Sequence, residues 1–154
     1  MYTALDTRPD LAFTVQHLSQ FTVSHGLEHW IAIKHALCYL KGTCNVGIIF
    51  RKDVDIELEL YVDSDFGNRT DGLSISGYTA MLGGGCIAWS SRKQRTVSLS
   101  MTEAEYMALT EDAKQLIWFR RALQELGFNQ DQPMSIRSDN LGVIRISHDA
   151  PYHT

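Results

Sequence analysis

The sequence predicts an α/β fold in which strand, hairpin, long helix, short strand and short helix follow one another behind an N-terminal helical hairpin. Three observations carry this. Apolar residues recur at steps of three and four up to residue 42, and the period changes from about residue 46, settling into apolar–polar alternation by residues 57–63. A run of three glycines, Gly83 to Gly85, joins two strand-like segments. One unbroken helical pattern covers residues 101–126 and stops at Gly127.

In chain order, residues 9–40 read as two helices. Pro9 suits a helix first turn, and Leu11, Val15, Leu18 and Phe21 follow at helical spacing. A break comes at "SHG" with Gly26. Trp30, Ile33, Leu37 and Leu40 repeat the period until Gly42 ends it. "VGIIF" (46–50) and "ELELYVD" (57–63) read as strands, the second setting Leu58, Leu60 and Val62 against Glu57, Glu59, Tyr61 and Asp63. "SGYTAML" and "CIAWSS" form the hairpin. "MSIRS" is a short strand, and "NLGVIRIS" a short helix capped by Ser138 or Asp139. Trp30, Trp89 and Trp118 are expected in or near the core.

The chain has 154 residues, 44% hydrophobic and 21% charged, enough apolar material for a core and therefore not a disordered chain. A net charge of −4 excludes a polycation, so any nucleic-acid contact must come from local basic clusters around an acidic centre. Three cysteines without a C-x-x-C pair point to neither a disulfide framework nor a zinc knuckle, and fit a reducing compartment. Asp6, Arg8 and Asp10 interrupt any signal peptide, and no apolar run approaches the ~20 residues of a membrane span. Six scattered histidines read as surface or interhelical residues.

Acidic residues stand at the ends of elements. Asp63 and Asp65 close the first long strand, Glu103 and Glu105 open the long helix, and Asp139 lies between the last strand and helix. If "MSIRS" lies beside the strand of Asp63, both strand ends reach one edge. The stripe Leu109, Ala113, Leu116, Phe119, Leu123, Leu126 marks the buried face of the long helix, and one step back from Leu109 is Glu105. A charge there needs a partner. Glu103 completes a capping box with Ser100; Thr102 with Glu105 fits the same pattern, so a capping role for Glu105 stays open. Asp139 reads equally as an N-cap, and Asp65 as a loop acid before Gly67. Three carboxylates on one edge repel unless cations neutralise them, and oxygen-only ligands select Mg²⁺ or Mn²⁺. Two such ions about 3.5–4 Å apart are apparatus for phosphodiester hydrolysis.

The stretch from "YVDSDFG" through "SSRKQRTVSLSMTEAEYMAL" and "WFRRALQELG" to "RSDN" resembles the ribonuclease H domain of copia-type retrotransposon polyproteins. "TRPDLAFTVQHLSQF" and "EHWIAIKHALCYLKGT" resemble the end of the preceding reverse transcriptase. The resemblance implies a helical tail over 1–45 and, over 46–154, a ribonuclease H-like mixed sheet with flanking helices that lacks its last helix. It implies hydrolysis of the RNA strand of RNA–DNA hybrids with two Mg²⁺ ions, Mn²⁺ substituting. The family's acids fall on Asp63, Glu105 and Asp139, which are therefore the expected catalytic and metal-binding residues, with Asp65 and His153 as accessories. The remainder of the polyprotein is the implied partner, and the place is intracellular, in a cytoplasmic virus-like particle or the nucleus. A Y-x-D-D polymerase motif is absent, and with the fourth family acid also missing, slow or no cleavage is expected.

Arg92, Lys93 and Arg95 are the expected phosphate contacts, while Arg120 and Arg121 read as a solvated helix face. A strand-transferase of the integrase kind shares the fold but orders its acids Asp, Asp, Glu, against Asp63, Glu105, Asp139 here. The alternative is an inactive transposon remnant acting at most as a hybrid- or protein-binding fragment.

Overall fold

A computed structural model describes residues 2–54, 56–67 and 71–148. The chain divides into two compact units, Met1–Ile49 and Phe50–Thr154. No described helix is long and apolar enough to cross a membrane.

The first unit is helical: α1 (Tyr2–Asp6), a 3₁₀ turn (Pro9–Leu11), α2 (Ala12–Ser19) and α3 (Leu27–Gly42). Its hub is Arg8, 5% exposed. The guanidinium donates to both carboxylate oxygens of Asp10 (3.0 and 2.7 Å) and to the carbonyl and Oγ1 of Thr43 (3.1 and 2.6 Å), tying the 3₁₀ turn to the end of α3. Tyr39 donates to the same Asp10. The Arg8 bond holds the Asp10 carboxyl down at about 2. Phe21 stacks on His29. The α3 stripe does not form a closed core: α3 has no buried residue, and Trp30, Ile33 and Leu37 are exposed.

The second unit has the ribonuclease H-like fold, a four-stranded mixed sheet with helices against it. It comprises β1 (Glu59–Asp65), β2 (Ile75–Leu82), β3 (Gly85–Lys93), α4 (Met101–Glu125), β4 (Ser135–Arg137) and α5 (Leu141–His148). The strand order is β3-β2-β1-β4; the first two pairings are antiparallel, and β1 with β4 is parallel. Gly83 and Gly84 turn β2 into β3 with φ of +57° and +74°, a backbone that two-residue hairpins require and side chains resist. A register shift at Ala80/Met81 bulges β3 at Ile87.

Alternation on β1 works as read: Leu58, Leu60 and Val62 are buried, while Tyr61, Asp63 and Asp65 are exposed. With Ala80 they meet Ala108, Leu116 and Leu123 of α4 in one core. Three expectations fail. Residues 46–50 form no strand, and Arg51 donates instead to the Gly83 carbonyl. That run holds Gly47 and lacks alternation, so it presents no single face for a sheet to bury. The buried stripe of α4 is Ala104, Glu105, Ala108, Asp112, Leu116 and Leu123, rotated from the expected one, and Leu126 is exposed. Small alanines let the helix approach the sheet on a side that larger Leu109 would hold off. Trp30 and Trp118 are exposed rather than core.

Candidate metal centre and nucleic-acid interface

Because β1 and β4 run parallel, their C-terminal ends share one edge. Pairing stops at Tyr61–Arg137, and β4 then leaves for α5. Ligand sites gather in such crevices beyond strand ends. Into this one, β1 brings Asp63, α4 brings Glu105 and the β4–α5 junction brings Asp139. One carboxylate oxygen from each lies within 4.8 Å of the others. The triplet could hold a metal ion.

Backbone chemistry fixes two of the three. Past the end of the β1–β4 ladder, the Ser64 amide donates to Asp63 Oδ1 (2.8 Å) and Glu105 Oε1 (3.1 Å). Glu105 is 5% exposed, and its Oε2 is buried with no hydrogen-bond partner among the described residues. Burial pushes its pKa up, and Asp63 and Asp139 push the same way against the Ser64 bonds. A cation is what such a group lacks.

The capping ambiguities resolve. Ser100 caps α4 by accepting from Glu103 N (3.1 Å), while Glu103 Oε2 accepts from Leu99 N (2.6 Å). Glu105 takes no part. The cap of α5 is Asn140, not Ser138 or Asp139: its Oδ1 accepts from Gly142 N (2.9 Å) and Val143 N (3.2 Å). Asp139 is thereby left to the crevice. Gly142 makes the approach possible, since a Cβ there would meet both Thr102 side-chain branches at 3.1 Å. Asp65, exposed at the end of β1, is not among the three. His153 lies outside the described residues.

Of the basic residues, Arg92 donates from Nε to Ser90 Oγ (2.8 Å), Lys93 pairs with Asp71, and Arg95 is exposed. The three border one cleft with Asp112, a buried carboxylate that sequence reading passed over. Burial raises the Asp112 pKa to about 6 against the pull of Arg92. Arg120 donates to the Gln130 carbonyl (2.9 Å), a loop contact rather than a solvated charge. A polar residue inside a helical stripe was the one signal that could have marked Asp112.

The chain is 41% identical over 99% of its length to the retrovirus-related Pol polyprotein from transposon TNT 1-94 of Nicotiana tabacum. It is 38% identical over 96% of its length to that from transposon RE2 of Arabidopsis thaliana. It covers 11% and 10% of those proteins, about a tenth of their length. Secreted RxLR effector protein 161 of Plasmopara viticola is 45% identical over 77% of this chain and 84% of its own. No family model and no solved structure matches. These identities show that the chain belongs to the retrovirus-related Pol polyproteins of copia-type transposons, of which it spans one segment.

Proposed function

We propose that the second unit is the ribonuclease H domain of such a polyprotein and hydrolyses the RNA strand of RNA–DNA hybrids. The observation that carries the reading is the convergence of Asp63, Glu105 and Asp139 within 4.8 Å, with Glu105 Oε2 buried and unpartnered among the described residues. An all-oxygen set with an orphaned buried acceptor fits hard divalent cations, Mg²⁺ or Mn²⁺. When bound, a pair of these supplies Lewis acidity at the phosphate and a nucleophile drawn from water.

The chain's own residues do the positioning. Asp63 and Glu105 are oriented by one backbone amide, on a stretch of β1 held by its pairing with β2. Asp139 completes the set from the neighbouring strand end. Arg92, Lys93 and Arg95 take phosphates and set the register of the duplex, carrying no base information. Groove shape and 2′-hydroxyls select the hybrid. The same reading makes residues 1–45 the end of the reverse transcriptase region, with exposed Trp30, Ile33 and Leu37 turned to the remainder of the polyprotein.

The test is cleavage of an end-labelled hybrid in Mg²⁺ and in Mn²⁺. Asp63→Asn, Glu105→Gln and Asp139→Asn should each lower the rate by about a hundredfold or more, on the scale of losing a preorganised electrostatic group. Cleavage is expected to be slow, and equal, measurable rates in all four proteins overturn the reading.

A further inference from the structure

The carboxylate of Glu105 is held by the Ser64 amide, and its backbone is held from the other side by Gln94. Gln94 follows directly on β3 and is 8% exposed. Its main-chain N–H donates to the Ser74 carbonyl (2.8 Å), just past the last β2–β3 register pair, Ile75–Lys93. Its side-chain Nε2 donates to the Ala104 carbonyl (2.8 Å) and to Ser76 Oγ (2.9 Å). Both N–H groups of the amide are thereby committed.

The Ala104 carbonyl lies in the same planar peptide unit as the Glu105 nitrogen and Cα. A carbonyl oxygen has two lone pairs, so this one can serve the α4 ladder and still accept from outside the helix. The bond from Gln94 thus orients the plane from which the Glu105 side chain departs. Its other end is anchored on Ser76, which lies opposite Ser64 in the β1–β2 register. The links close a ring: Ser64 to the Glu105 carboxylate, the Glu105 peptide to Gln94, Gln94 to Ser76, and Ser76 across the strand pair to Ser64. No other described contact has this effect. The capping bonds of Ser100 and Glu103 join α4 to its own lead-in and not to the sheet. Packing of Ala108 and Leu116 holds the helix against the sheet, but apolar contact is non-directional. Gln94 keeps its posture with Oε1 buried and without a hydrogen-bond partner among the described residues. An unmet buried acceptor is destabilising, so stability alone does not account for an amide here; a need to place Glu105 does.

We propose that Gln94 is a positioning residue of the metal centre, setting the approach of Glu105 to Asp63 and Asp139 from outside the carboxylate cluster. The inference rests on the reading of those three carboxylates as the metal site. Gln94 is not itself a ligand in this scheme; it acts through the Ala104–Glu105 peptide.

The experiment is Mn²⁺ titration of the full chain, with free Mn²⁺ read by electron paramagnetic resonance. It is run well below every melting temperature, where Kd reports the folded site and not the folding equilibrium. Gln94→Met keeps the length and removes both donors; it should raise Kd about tenfold, the low end of what is lost with a group that orients a metal ligand from behind. Ser76→Ala should raise Kd by less, and Ser76→Thr, which restores the hydroxyl, should bring it back. Leu123→Val, a core change at the far end of α4, should lower the melting temperature and leave Kd unchanged. A folded Gln94→Met protein with unchanged Kd overturns the inference. So does an equal Kd in Ser76→Ala and Ser76→Thr, a comparison that holds even if the methionine variant misfolds. An equal rise in Leu123→Val makes the effect one of general stability and overturns it too. Each of these results, with binding lost in Glu105→Gln, leaves the metal site standing. An unsubstituted chain that binds Mn²⁺ no more tightly than Glu105→Gln overturns both.

Discussion

Glu105 and Asp112 share one face of α4 and carry opposite demands. Glu105 has two carboxylates for neighbours, so a cation should satisfy it; Asp112 stands outside that cluster, between Arg92 and Glu111. Titration with Mn²⁺ should raise the melting temperature, by linkage worth about 2.7 kcal/mol at a hundredfold excess over Kd. Asp63→Asn or Glu105→Gln should remove most of that gain, whereas Glu103→Gln, a capping position, should not; equal losses in a thermal-shift assay would sink the assignment. For Asp112 the sign runs with acidity. Its folded pKa, about 6, stands above the ordinary 3.8, so the folded state is favoured at low pH and loses that advantage as pH rises through about 6. Asp112→Asn should therefore match the unsubstituted protein near pH 4. Near pH 7 it should be more stable, by at most about 3 kcal/mol for a shift of about two units, as read from urea melts. Asp63 was legible in the sequence because a strand end delivered it. Asp112 was not: a hydropathy stripe assigns acids to solvent, and only packing showed that Ala108 rather than Leu109 faces the sheet.

At the scale of elements, what was legible followed from local chemistry. The Gly83–Gly84 turn, the start of α4 at Ser100 and the alternation of β1 are each written within a few residues. What was not legible depends on a distant neighbour. Whether Asn140 or Asp139 caps α5 is decided by the angle at which the chain leaves β4. The contact between Gly142 and Thr102 is of the second kind. Gly142→Ala gains up to about 1 kcal/mol of helix propensity, yet its methyl meets two branches of Thr102, so rotating that side chain does not clear it. Overpacking costs about 1–3 kcal/mol and should win, giving a net loss of up to about 2 kcal/mol. Since α5 is displaced, the Mn²⁺ shift should shrink as well; an unchanged metal response would show that α5 does not set the position of Asp139.

At the scale of the molecule, each unit has its own anchor, Arg8 in the first and the β1–α4 core in the second. Residues 50–154 alone should melt cooperatively with the circular dichroism of a mixed α/β domain. If they collapse to an unfolded spectrum, the division at residue 49 is not a boundary of stability. Last among these features is the briefness of β4, which meets β1 over three register pairs. Beyond them, the Arg137–Glu59 ion pair, the Gly142 approach, the packing of Ile136 against the core and buried Val143 hold it in place. The segment with the fewest ladder pairs is expected to open first by sub-global fluctuation while the rest of the sheet stays closed. Two carboxylates are then permanent, and the third is present by population. A cation that needs all three closes the segment, so amide hydrogen exchange in β4 and α5 should slow with divalent concentration while β1 and β2 hold constant. In that case the ion is a reagent and also the latch of the final strand, and the affinity of the site is set by how often the latch finds it shut.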